Sequence, residues 1–138
     1  MIRKLAYSLM YFSLVLGASM ALPAGYTPIS VAHADAWYEG GTLHQANALQ
    51  WQKASDADKL ATCSDLVAAI YKNKSFKPEL QQAIKSVDDF RPLAEELVKA
   101  LNGAFKEDPD TKNNAKIFTN QKVPDTAVML MMLMGWLK

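Results

Sequence analysis

The sequence predicts an all-α fold: a compact single-domain bundle of about four to five helices, preceded by an N-terminal signal helix. Three observations carry this. Apolar residues recur at helical spacing in two long stretches, 56–72 and 89–105. Capping patterns and first-turn prolines mark the helix starts at Thr42, Ser55, Pro78, Pro92 and Pro124. The chain closes on an apolar run from Ala127 to Leu137 that has no polar face.

The first 34 residues read as an address. Arg3 and Lys4 open them, an uncharged run of 18 residues from Leu5 to Leu22 follows, and Ala32-His33-Ala34 ends them. A positive end, an apolar segment and small residues at −3 and −1 make a secretory signal peptide. Ser8, Ser13, Gly17 and Ser19 dilute the run, which favours removal over a permanent anchor. Cleavage is expected after Ala34, with ends after Ala21 or Ala36 as the other candidates. Residues 35–138 then form a single helical domain, periplasmic or secreted.

Within that domain, Trp37-Tyr38-Glu39-Gly40-Gly41 reads as an extended lead-in ending in a turn. Thr42 with Gln45 makes a capping box for a first helix over 43–54, carrying Leu43, Ala46, Leu49 and Trp51. Ser55 with Asp58 repeats the box and starts a second helix over 56–72. There Leu60, Cys63, Leu66, Val67, Ile70 and Tyr71 share one side. Pro78 suits the first turn of a short helix over 78–86.

The fourth helix has the cleanest pattern. Phe90, Leu93, Ala94, Leu97, Val98, Leu101 and Phe105 form a stripe with Glu95, Glu96, Lys99 and Asn102 outside it. Pro92 sets its start near Asp89, since deeper inside a helix it would cost about 3 kcal/mol. Glu95 and Lys99 are ordered for an i,i+4 pair worth ~0.3 kcal/mol. Residues 106–122 are polar and turn-rich and read as a loop. The last helix, apolar all round, is expected at the buried centre of the fold.

Charge narrows the partners. Without Arg3 and Lys4, 13 basic residues face 14 acidic ones. A net charge near −1 speaks against a nucleic-acid binder held by phosphate contacts, and equally against a polybasic membrane anchor. A single cysteine, Cys63, excludes an internal disulfide.

No local catalytic constellation stands out, and no Gly-rich phosphate loop, zinc spacing or EF-hand pattern is present. His44 is the one histidine outside the signal, and Cys63, Ser64 and Asp65 are its conceivable companions. Cys63, however, falls mid-way along an apolar helix face, where a thiol behaves as a small hydrophobe. The acidic pair Asp88-Asp89 suits a helix start. Trp51 and Trp136 are read as core, whereas Trp37, Tyr38 and His44 are the candidates for contact with a partner.

All four methionines outside the signal, Met129, Met131, Met132 and Met134, lie in the last helix. Thioethers suit Cu(I), and Met131 with Met134 share a face, so a copper site is the alternative reading of a cofactor-free chain. The plainer reading is adaptable core filler. A third is a hydrophobic surface that receives a partner or a second copy of the chain.

Gly40-Gly41-Thr42-Leu43-His44, Trp51, Ala54-Ser55, Lys59-Leu60-Ala61-Thr62 and Asp65-Leu66-Val67 together resemble a pattern in small exported bacterial proteins of unknown function. Pro92-Leu93-Ala94-Glu95-Glu96-Leu97 and the closing Met134-Gly135-Trp136 continue that resemblance. It implies a bacterial envelope or secreted location. The stretch Arg91 to Val98, with the export signal and helical architecture, also resembles the Rap1a/Tai-type immunity proteins. That resemblance implies neutralisation of a secreted hydrolase. The expected function is thus non-enzymatic binding of another envelope or secreted protein, without a stable membrane span after cleavage.

Overall fold

The computed structural model describes residues 36–138, so the signal segment lies outside the described residues. The described chain is all-α: six α-helices and one 3-10 turn, joined by short connections. The helices are α1 (Ala48–Lys53), α2 (Asp56–Lys72), α3 (Pro78–Ala83), α4 (Phe90–Ala104), α5 (Thr111–Phe118) and α6 (Val123–Leu133), with the 3-10 turn at Val87–Asp89. No helix among the described residues is long and apolar enough to cross a membrane.

Helix α1 is shorter than the expected 43–54 and takes a different cap. Asn47 caps it, accepting from Gln50 N at 3.0 Å while Gln50 Oε1 accepts from Asn47 N at 2.9 Å. Asn47-x-x-Gln50 is a capping box like Thr42-x-x-Gln45, set five residues further on. The reason is tertiary. Ala48 N donates to Gln121 O (2.8 Å) and Val123 N donates to Ala46 O (2.9 Å), which pairs Asn47 with Lys122 as an isolated antiparallel bridge just ahead of α1 and α6.

Helix α2 matches its expected span of 56–72, and Ser55 caps it by accepting from Asp58 N at 3.2 Å. It packs chiefly on α4, and α4 in turn packs on α6. Cys63 and Val67 of α2, Ala94, Leu97 and Leu101 of α4, and Ala127 and Met131 of α6 meet in the core. Edge-to-face aromatics extend that core: Trp51 on Phe105 at 6.4 Å and Phe105 on Phe118 at 6.3 Å between ring centroids. Trp136 packs on Phe76, and the same end is tied by Lys77 N donating to Trp136 O (2.8 Å).

Helix α3 stops at Ala83 instead of residue 86. The chain then turns through a box in which Asp89 Oδ2 accepts from Lys85 N, Ser86 N and Ser86 Oγ. Helix α4 follows directly, with Pro92 in its first turn as expected. Its surface ion pair is Arg91–Glu95 at 2.9 Å, in place of the expected Glu95–Lys99.

Two further expectations fail. Residues 106–122 are not one loop, because α5 occupies 111–118, capped by Asp110 accepting from Lys112 N and Asn113 N. Only Asn114 and Phe118 of α5 are buried, too few to leave a visible period in the sequence. The last helix is also not the wrapped centre. Val123, Thr126, Ala127 and Met131 are buried, but Val128, Met129, Met132 and Leu133 are exposed. Its principal helical neighbour is α4 alone, so one side stays open.

Candidate partner-binding surfaces

The lead-in to α1 is anchored across the start of α2. Thr42 donates to Asp58 twice, from its amide at 2.7 Å and its hydroxyl at 2.6 Å. Thr62 Oγ1 donates to the same carboxylate at 3.2 Å and accepts from Leu43 N at 3.2 Å. Thr42 therefore serves as a tether and not as a helix cap. Gly41 makes this approach possible: a Cβ there would lie 2.7 Å from Thr62 N and 2.9 Å from Thr62 Cα. Burial acts to raise the Asp58 pKa, but the bonds from Thr42 and Thr62 outweigh it and hold the carboxyl below its ordinary value.

The three residues expected to meet a partner all sit on this lead-in, half-buried. Trp37 stacks edge-on with Tyr38 (5.4 Å), lies beneath the Arg91 guanidinium (5.5 Å to the ring centroid) and donates from Nε1 to Asp88 Oδ1 at 3.4 Å. Its contacts within the chain seat the lead-in on the start of α4. His44 Nε2 pairs with Asp65 Oδ2 at 2.8 Å, both side chains being partly exposed.

That pair was not legible, since nothing in 21 residues of separation brings position 44 beside position 65. It does not recruit Cys63, which is fully buried. Burial pushes the Cys63 thiol up to about 12, so it carries no thiolate character near neutrality. Ser64 is buried as well.

The methionines separate into two environments. Met131 is enclosed in the core, and Met134 lines a groove of about 600 Å³ with Glu95, Glu96, Lys99, Ala100 and Gly103. The two members of the alternative copper pair thus differ in exposure, Met131 being buried and Met134 half-buried. Met129 and Met132 instead share the open side of α6 with Val128 and Leu133. No group of three or more His, Cys, Asp or Glu among the described residues could hold a metal ion.

The open side of α6 is the most distinctive surface. Among the described residues six large hydrophobics are exposed, and four of them are Val128 (39%), Met129 (52%), Met132 (64%) and Leu133 (77%). The pairs 128/132 and 129/133 are four apart and 129/132 are three apart, so they form one ridge along the helix. A ridge of this spacing is what a second helix packs against. The sequence offers such a surface as one reading of the last helix but does not place it, because α6 is apolar on every side and hydrophobicity alone cannot say which side is covered. Comparison with protein families, curated proteins and solved structures finds no match to this chain.

Proposed function

We propose that this chain is an exported, non-enzymatic helical protein that acts by binding another envelope or secreted protein through the open side of α6. The observation that carries the reading is the four-residue apolar ridge Val128–Met129–Met132–Leu133. Large apolar side chains clustered on one face of a soluble domain mark an interaction surface, whereas scattered ones need no explanation. Methionine suits such a face because its unbranched, polarisable side chain adapts to a partner's shape. The export half of the proposal is supported by the order of residues 1–34, from Arg3 and Lys4 through the uncharged run to Ala32-His33-Ala34.

Photocrosslinking in cells tests the binding half. A benzoylphenylalanine at position 132 is expected to give a discrete adduct, and the same group at Lys112 of α5 is expected to give none. An adduct of twice the chain's own mass would identify a second copy as the occupant. No adduct from position 132, or the same pattern from both positions, would remove the proposal. The export half is tested by the intact mass of protein recovered from fractionated cells, expected to begin at Asp35.

A further inference from the structure

A separate pocket lies on the side of the molecule where α1, α2 and the end of α4 meet. It has a volume of about 260 Å³ and is lined by Trp51, Gln52, Lys59, Asn102, Phe105, Lys106 and Glu107. One wall is Lys59, a residue only 9% exposed overall. Its aliphatic stem is buried, while its ammonium opens to solvent. Among the described residues its ammonium has no hydrogen bond and no ion pair, and its one direct interaction is with the Trp51 ring, 5.6 Å from the centroid.

The other polar groups of the pocket have been sorted by the fold. Trp51 Nε1 can only donate, so the Asn102 atom it meets at 3.0 Å must be the oxygen. That orients the amide and leaves Asn102 Nδ2 as a donor without a partner among the described residues. Gln52 contributes nothing free: its Nε2 donates to Phe105 O and Asn114 Oδ1, and its Oε1 accepts from Asn114 Nδ2. The lining groups without a partner among the described residues are the Lys59 ammonium, the Lys106 ammonium and the Asn102 N–H pair, with Glu107 as the one carboxylate; Asn102, Lys106 and Glu107 are exposed. Neither lysine pairs with Glu107.

We infer that this pocket binds the carboxylate group of a small acid or of a peptide C-terminus, with Lys59 as the charge partner and Asn102 Nδ2 as the orienting donor. A group that only accepts hydrogen bonds is matched to a pocket whose free groups donate. Two lysines against one glutamate leave a single positive charge, which fits a monoanion; a phosphate dianion would face Glu107. The two ammonium groups and one amide fit a two-oxygen acceptor, and the Trp51 indole fixes the amide before the ligand arrives.

The probes are sodium acetate, inorganic phosphate, acetyl-dialanine and its C-terminal amide, each titrated at constant ionic strength with chloride as balance. The readout is the Trp51 indole N–H resonance. Acetate and acetyl-dialanine are expected to shift it saturably in the millimolar range, and the amide is expected to leave it unmoved. Tighter binding of the peptide than of acetate assigns the pocket to a chain terminus, and equal binding to a small acid.

Lys59→Met keeps the aliphatic stem against Trp51 and is expected to weaken binding by roughly tenfold or more. Asn102→Asp keeps an acceptor for Trp51 Nε1 while replacing the donor by a negative charge, and it is expected to abolish binding even if Lys59→Met proves unable to fold. Shifts that rise linearly without saturation, that persist in Asn102→Asp, or that are larger with phosphate than with acetate would overturn the assignment.

Discussion

Gln52 and Asn114 face each other as a reciprocal amide pair across 62 residues of chain. Gln52 Nε2 donates to Asn114 Oδ1 at 3.0 Å, and Asn114 Nδ2 returns the bond to Gln52 Oε1 at 2.8 Å. Asn114 Oδ1 also accepts from Asp108 N at 3.0 Å. This pair, with Phe118 in the core, is what fastens the polar helix α5 to α1. Asn114→Ala would leave Gln52 Oε1 and the Asp108 amide without their partners, and a loss of about 1–3 kcal/mol is expected. Urea unfolding with an unchanged slope would measure it. The double variant Gln52→Leu/Asn114→Leu should fall short of additivity with the single variants, because the two amides no longer strand each other, while the Asp108 amide and Phe105 O still lose their partners.

Two glycines should respond in opposite directions. Gly41→Ala places a Cβ against the backbone of Thr62, which cannot move aside, so a destabilisation of about 1–3 kcal/mol is expected. Gly103→Ala, inside α4 with nothing within 4 Å of the new Cβ, should stabilise by about 0.5–1 kcal/mol. Thermal melts of the two variants check both signs.

The Asp58 carboxyl titrates below its ordinary value in the folded chain because Thr42 and Thr62 donate to it. A depressed acid pKa contributes stability that is fully present above the unfolded-state value, near pH 4, and lost as pH falls through the folded-state value. Stability should therefore drop on acidification below about pH 4. In Asp58→Asn the baseline should be lower and this part of the acid slope shallower. Denaturant midpoints measured between neutral and strongly acid pH test the difference.

Cys63 should be silent to thiol reagents in the native state, since it is fully buried and its pKa is raised to about 12. One equivalent should react after unfolding in urea. Rapid labelling of the folded protein would show that α2 opens locally far more easily than its packing implies.

The open ridge of α6 should be dispensable for folding. Met132→Gln with Leu133→Gln is expected to change stability by no more than about 0.5 kcal/mol per site, as for other exposed substitutions. The same pair should abolish the adduct formed from a crosslinker at position 129. By contrast Met131→Ala, in the core of the same helix, should cost about 2–5 kcal/mol.

Elements with strong local signals were legible. Ser55 and a side of apolar residues define α2, and Pro92 with the stripe from Phe90 to Leu101 defines α4. Where two local signals compete, the sequence cannot choose: Thr42-x-x-Gln45 and Asn47-x-x-Gln50 are equivalent boxes. Backbone bonds from residues 46–48 to 121–123 select the second, and Asp58 claims Thr42. Helix α5 was hidden because two buried residues make no period.

The sequence by itself determined that the domain is helical and where its two longest helices run, because capping and apolar periodicity act within a few residues. It also singled out the last helix as unusual in being apolar throughout. Only the tertiary structure decided which side of that helix is left open. Burial depends on which neighbours arrive, and α4 covers only the side bearing Ala127 and Met131. The same holds for Lys59, which in sequence is one lysine among many. The short connection Ala54-Ser55 between α1 and α2 brings Trp51 over it, which buries its stem beside the pocket.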